Sequence, residues 1–255
     1  MYIITLRTMR PFHISFLLGL FTVMGCSTKT LDEMTASQIF SDSQVLALAR
    51  AAETGDVKKI DELVKTGVDV NARGRGNVTP LLRSYLARNF EGFDCLLKHG
   101  ANPNLLDEAG SAVVLLASQD KDSQYLRRAL ECGGNSNLVN TGNRYSKNST
   151  PLLYAIGLSR VENVKLLADA GADCNRPDGI GRTPLSSALE GKWDIAIVLI
   201  KAGADIHTTN RFGNTAVDDV KQGGWAIETP ADKQAFRDLI KLMNSMGENI
   251  PPYEE

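Results

Sequence analysis

The chain has 255 residues, 43% of them hydrophobic, with 28 Lys and Arg against 30 Asp and Glu for a net charge of −2. That length is ample for a sizeable buried core. With no basic excess to neutralise a phosphate backbone, nucleic acid is excluded as an expected partner. In chain order the first element reads as an export signal: Arg7 and Arg10 give a positive leading region, and Ile14 to Val23 supply the apolar centre. A membrane-spanning helix needs about 20 apolar residues, and this run is too short for a permanent one. Met1 and Met9 both stand as possible starts.

Residues Thr22-Val23-Met24-Gly25-Cys26-Ser27 close that run. Small and aliphatic residues leading into a cysteine resemble the lipobox of bacterial lipoproteins. The resemblance implies a signal peptide over 1–25, cleavage before Cys26, and lipidation of Cys26 as the first mature residue. It also implies three acyl chains, enough for stable anchoring where one is not. Ser27 in place of an Asp implies the periplasmic face of the outer membrane. Loss of 1–25 removes two Arg and no acid, so the mature balance becomes 26 against 30, or −4. Residues 26–42 are expected to be a lipidated polar tether.

From residue 43 the chain repeats. Gly67-Val68-Asp69-Val70-Asn71 recurs as Gly100-Ala101-Asn102-Pro103-Asn104, Gly133-Gly134-Asn135-Ser136-Asn137, Gly171-Ala172-Asp173-Cys174-Asn175 and Gly203-Ala204-Asp205-Ile206-His207. The glycines are spaced by 33, 33, 38 and 32 residues. Thr79-Pro80-Leu81, Thr150-Pro151-Leu152 and Thr183-Pro184-Leu185 travel with them. Thr caps a helix, and Pro sits at its first position, where a missing N–H costs nothing. A second helix carries the apolar stripe, as in Phe93, Leu96 and Leu97 or Ile195, Val198 and Leu199. The following Gly ends it where positive φ is needed.

Period, Thr-Pro-Leu and the Gly-Ala-Asp-x-Asn element together resemble the ankyrin repeat. The resemblance implies an all-α solenoid of helix-turn-helix units with short hairpin connections. It covers 43–245 in six units including caps, near 43–75, 76–108, 109–141, 142–178, 179–210 and 211–245, followed by a tail over 246–255. The third unit has Gly110-Ser111-Ala112-Val113-Val114 where Thr-Pro-Leu is expected. The family's His after Thr-Pro-Leu is replaced by Leu82, Leu153 and Ser186.

The array breaks its own period in three places. Asn71 to Thr79 is 8 positions but Asn137 to Thr150 is 13, which puts five extra residues in the turn containing Arg144 and Tyr145. Thr183 to Gly203 is 20 positions where Thr79 to Gly100 is 21, a deletion beside Trp193 that the Trp is expected to fill. Unit six gains residues around Gly223 to Pro230, where Trp225 is expected to fold over the end of the stack.

No nucleophile elbow, phosphate-cradling loop or metal-ligand spacing is present, so no enzyme activity, cofactor or metal is expected. His99 and His207 read as structural or solvated. Cys95, Cys132 and Cys174 match no zinc or redox spacing and read as small buried hydrophobes, their pairing left open. The ankyrin resemblance implies protein binding through turn tips and first helices. On this chain those positions are Arg73, Arg75, Asn77, Arg83, Leu86, Asp107, Glu108, Arg144, Tyr145, Tyr154, Arg182, Arg211 and Phe212. Arg and Tyr are favoured at binding hot spots, and the stripe is more basic than the chain, which suggests an acidic partner surface.

Ankyrin-repeat lipoproteins of this build are similar to periplasmic immunity proteins that neutralise phospholipase toxins of type VI secretion. That similarity implies an anchored binder, monomeric when unbound, whose partner is a lipase toxin arriving in the periplasm. The alternative expectation is an envelope scaffold or helper for a periplasmic enzyme in stress defence.

Overall fold

The computed structural model describes residues 34–142, 148–210, 212–223 and 227–253. A short helix, α1 (Ala36–Ile39), precedes six helix pairs. They are α2 (Ser43–Thr54) with α3 (Val57–Lys65), α4 (Pro80–Leu86) with α5 (Phe90–Lys98), and α6 (Val113–Ala117) with α7 (Gln124–Glu131). The remaining pairs are α8 (Pro151–Gly157) with α9 (Val161–Asp169), α10 (Pro184–Ala188) with α11 (Trp193–Lys201), and α12 (Ala216–Lys221) with α13 (Pro230–Ser245). No strand occurs among the described residues. The expected all-α solenoid of six units is the observed fold.

Each pair starts as its residues dictate. The hydroxyls of Thr79, Thr150 and Thr183 accept from the amides of Leu82, Leu153 and Ser186 at 3.2, 3.3 and 3.1 Å, with Pro next in line. Thr215 and Thr229 cap α12 and α13, and Asp218 and Asp232 return a bond to the cap amide. This satisfies two otherwise orphaned donors at each end. Ala112 opens α6 with no side-chain cap. The second helices of units one to five run out into Gly67, Gly100, Gly133, Gly171 and Gly203, all left-handed at φ between 77° and 95°.

The stack is built from columns of buried side chains. Leu48, Leu81, Val114, Leu152, Leu185 and Val217 occupy one equivalent position in successive first helices, and all are buried. Leu63, Leu96, Ala129, Leu167 and Leu199 form the matching column of the second helices. The first helices from α2 to α10 pack in sequence; α3, α5 and α7 do likewise, as do α9, α11 and α13. At the column of Ile60, Phe93, Leu126 and Val164, unit five has only Ala196. Trp193, three residues earlier, is 3% exposed and meets Phe236 of α13 edge-on at 4.9 Å. The deletion lies in the first helix: Pro184 precedes the left-handed Gly191 by 7 positions, where Pro151 precedes the left-handed Ser159 by 8.

A polar ladder joins the units. Asn71 donates to the Gly100 carbonyl at 3.2 Å and accepts from the Asn102 amide at 2.7 Å. Asn104 makes the same pair of bonds to Gly133 and Asn135, and Asn175 to Gly203 and Asp205. Asn137 reaches Gly171 at 2.9 Å and Asp173 at 2.7 Å across the junction that carries the insertion. The preceding Asp or Asn of each element pins its own turn, as Asp173 does by accepting from the Asn175 amide at 2.9 Å. The motif therefore has two jobs, one within a unit and one between units. At that same junction Asn163, buried on α9, donates to the carbonyls of Ser118 and Asp120, both at 2.9 Å. The ladder ends at His207, which instead stands 3.4 Å from Glu248.

The N-terminal end departs from the sequence expectation. The tether was expected through residue 42, yet Met34, Ala36, Ile39 and Phe40 are buried, because α1 carries apolar residues that pack on α2 and beside the Arg75–Asn77 turn. The tail over 246–255 also docks. Asn244 brackets Ile250 with two 2.9 Å bonds, Ile250 is buried, and Tyr253 meets Phe236 edge-on at 5.5 Å. The three thiols are free, with Cys95 and Cys174 buried and Cys132 partly so. Among the described residues no helix is long and apolar enough to cross a membrane.

Candidate protein-binding surface

Successive units are joined by finger-like turns of common construction. In the fingers based on Asp107, Asp178 and Asn210 the base side chain accepts from amides further round the turn and a left-handed Gly lets the chain reverse. The first finger has Gly74 at the base and left-handed Asn77 in the place of that Gly. Asp178 accepts from the Ile180 and Arg182 amides at 2.9 Å each, and its own amide donates to the Arg182 carbonyl at 2.8 Å. Asn210 does the same for Phe212 at 2.9 Å and Asn214 at 3.2 Å. Gly181 and Gly213 take φ of 82° and 83°. This construction lifts one residue to each tip: Ile180 in one finger and Phe212 in the next, 59% and 74% exposed. Large apolar groups held so far into solvent are unusual when consecutive.

At the first finger Arg73 and Arg75 are exposed, with Arg73 reaching the Leu106 carbonyl at 3.4 Å. Asn77 is left-handed at φ 58° and half-buried. Glu108 is exposed on the second finger, where Asp107 is the half-buried base and accepts from the Ser111 amide at 2.8 Å. Arg182 is half-buried beside Asp178 at 3.0 Å and Glu190 at 3.6 Å. Leu86 is half-buried on α4, and the half-buried Tyr154 accepts from Asn140 at 3.0 Å. Arg83 departs from its expected place in an exposed binding stripe. It is 9% exposed and its guanidinium holds Glu53 of α2 at 2.6 Å, which makes it a clamp between the first two units. Cys26, Arg144, Tyr145, Arg211 and Trp225 lie outside the described residues.

The insertion is closed at its base. The Asn140 amide donates to the Ser149 carbonyl at 2.9 Å and the Asn148 amide to the Asn140 carbonyl at 3.1 Å. The Asn140 side chain accepts from the Gly142 amide at 2.7 Å.

Two features escaped the sequence reading. Ile180 is one; it stands three residues before Thr183, as Phe212 does before Thr215, and that equivalence was the available signal. The other is a cluster on the helix-turn edge. Arg88 adopts φ 55° where unit one has Gly55, and its guanidinium grips Asp120 at 2.6 and 3.0 Å while lying 4.8 Å from the centre of the Tyr85 ring. Tyr85 donates to the same carboxylate at 2.9 Å and meets Tyr125 edge-on at 5.3 Å. Burial first, and then the charge of Asp120, push the Tyr85 phenol well above its ordinary range. An arginine at a left-handed position costs about 1 kcal/mol relative to glycine, which the charge-assisted pair and the ring contact offset.

A family model for ankyrin repeats, in three copies, matches residues 114–210. Protein PhlB of Serratia liquefaciens is 32% identical over 176 residues, covering 68% of this chain and 74% of PhlB. The mitochondrial disaggregase of Bos taurus is 34% identical over 150 residues, but the match spans 22% of that protein's length. Among solved structures, an ankyrin repeat domain from Acinetobacter baumannii covers 79% of this chain at 25% identity and a TM-score of 0.63, with 98% of that domain matched. A chain in the complex of a Bdellovibrio bacteriovorus predatory endopeptidase with an immunity protein covers 76% of this chain at 23% identity and a TM-score of 0.55, with 97% of that chain matched. That last likeness speaks to the fold alone.

Proposed function

Because the chain belongs to the ankyrin-repeat family, whose arrays are protein-binding scaffolds, we propose that it is a non-enzymatic immunity lipoprotein. In this reading Cys26 anchors it at the periplasmic face of the outer membrane, and it binds and neutralises an incoming antibacterial toxin of the phospholipase class. The observation that carries the binding part is the finger row, with Arg75 exposed on the first finger and Ile180 and Phe212 at the tips of two later ones. Rigid turns present these side chains at low entropic cost, and an apolar or Arg anchor entering a partner pocket supplies most of the energy of such interfaces. Exposed cations at Arg73 and Arg75 favour an acidic partner surface. Neutralisation follows from occupancy: an interface of ordinary size buries about 800 Å² on each partner, enough to cover an active-site mouth.

The test uses the purified array, periplasm-directed phospholipase toxins and vesicle hydrolysis as the readout. Stoichiometric inhibition is expected for the cognate toxin. Changing Arg75→Glu together with Ile180→Asp should weaken it at least tenfold with no change in thermal midpoint. In cells, a deletion strain should be sensitive to sibling attack, and Cys26→Ser should release the chain from the membrane. A deletion strain that resists attack but fails under envelope stress in pure culture would overturn the toxin reading in favour of a helper of a periplasmic enzyme.

A further inference from the structure

Asp61 on α3 meets Cys95 of α5 and His99 at that helix's C-cap, four residues further on and so on the same face. His99 Nε2 lies 2.6 Å from Asp61 Oδ1, and Cys95 Sγ lies 3.8 Å from the same oxygen. All three ligand atoms fall within 4.8 Å of one another. Cys95 is buried while Asp61 and His99 are half-buried, so the cluster is closed on the sulfur side and open to solvent on the other. No local spacing in the sequence announces it, since Asp61 comes from the preceding unit.

The repeat supplies an internal comparison. The three positions recur 33 residues later as Asp94, Arg128 and Cys132. There the Arg128 guanidinium and the Lys98 ammonium close on the Asp94 carboxylate, which is thereby satisfied by two permanent cations. At Asp61 a thiol stands where the guanidinium does and an imidazole where Cys132 does, and Lys65 acts only through space. The same architecture thus holds soft and borderline ligands around a carboxylate in place of a fixed positive charge. His99 also caps the C-terminus of α5, whose dipole end favours a cation.

We propose that Asp61, Cys95 and His99 form a binding site for one divalent transition-metal ion of the zinc class, with a fourth position left to water. One sulfur, one nitrogen and one oxygen donor suit that ion. Bonds of about 2.0–2.1 Å to nitrogen and oxygen and about 2.3 Å to sulfur set tetrahedral donor separations of roughly 3.3–3.6 Å. To reach this the 2.6 Å His99–Asp61 separation opens and the 3.8 Å Cys95–Asp61 separation closes. Binding displaces the thiol proton to solvent, and the Nε2 proton that faces Asp61 leaves with it or moves to Nδ1 of the same ring. The bound ion clips unit one to unit two.

Cobalt is the probe, because a thiolate ligand and four-coordination both leave an absorption signature. The metal-stripped, reduced protein titrated with Co²⁺ should show a near-ultraviolet thiolate-to-cobalt band and intense visible bands, saturating at one equivalent. Cys95→Ser should lose the thiolate band, His99→Gln should weaken binding at least tenfold, and Cys132→Ser should leave both unchanged. Zn²⁺ should raise the thermal midpoint of the wild type by several degrees and that of Cys95→Ser by none. A wild-type titration without a thiolate band overturns the proposal even if Cys95→Ser does not fold. A band that survives Cys95→Ser and disappears in Cys132→Ser overturns it as well. None of these readouts depends on the partner, so the site stands or falls separately from the immunity reading.

Discussion

Asn137→Ala is the sharpest test of how the array holds together. Asn137 donates to the Gly171 carbonyl at 2.9 Å and accepts from the Asp173 amide at 2.7 Å, and these bonds link units three and four around the longest connection in the stack. Alanine removes both. Each is worth about 0.5–1.5 kcal/mol net where water reaches the freed groups, so the loss is about 1–3 kcal/mol. In a repeat array that energy belongs to the coupling between neighbours rather than to either unit. The two tryptophans, Trp193 and Trp225, both lie beyond the junction. Trp fluorescence therefore follows the C-terminal half in urea, while far-ultraviolet circular dichroism follows the whole chain. For the variant the midpoint should fall by about 0.5–1 M and the two curves should separate. A variant whose midpoint is unchanged and whose two curves still coincide would refute the view that the Asn ladder carries the coupling.

Gly92→Ala should destabilise the N-terminal units by about 1–3 kcal/mol. A Cβ there meets the Ala52 backbone carbonyl, which has no side-chain freedom with which to yield; urea unfolding checks it. Asp232→Asn tests the cap of α13 through pH. The Thr229 hydroxyl, and then the Thr229 amide, hold the Asp232 carboxyl below its ordinary value, so the unfolded chain takes up the proton first. Its contribution is complete above the unfolded pKa of about 3.9 and fades as pH falls through the lower folded value. The variant should unfold at lower urea than wild type at pH 7, and the gap should narrow as pH falls below the ordinary carboxylate range; a gap that persists once the carboxyl is protonated would count against the charged cap.

Much of this architecture was legible because each unit repeats the same local chemistry. Thr-Pro-Leu fixes a capped helix start, and the Gly after each second helix marks its end; neither needs tertiary information. The apolar stripe identified the core columns for the same reason. What stayed hidden depends on contacts between units. Arg83 has the composition of an exposed tip or groove residue, and only the approach of α2 shows that Glu53 captures it. The N-terminal end was misjudged because α1 is too short to show a period, although Ile39 and Phe40 are buried. Asp61 and His99 are 38 positions apart, so their meeting follows from the stacking geometry alone. The finger tips fall between these cases: alignment of the units locates Ile180 and Phe212, but their exposure had to be seen.

The pinched base of the insertion has a further consequence. The bonds among Asn140, Asn148 and Ser149 close the connection below residues 143–147, and the Asn137 clamp joins the neighbouring units independently of it. Stacking and connector length are thereby decoupled at this one seam. Since loop closure costs only about 0.6 kcal/mol for each doubling of length, the segment is free to drift in sequence and size while the scaffold stays constant. A protein-binding scaffold has in this seam a place to rewrite its contacts without refolding the rest.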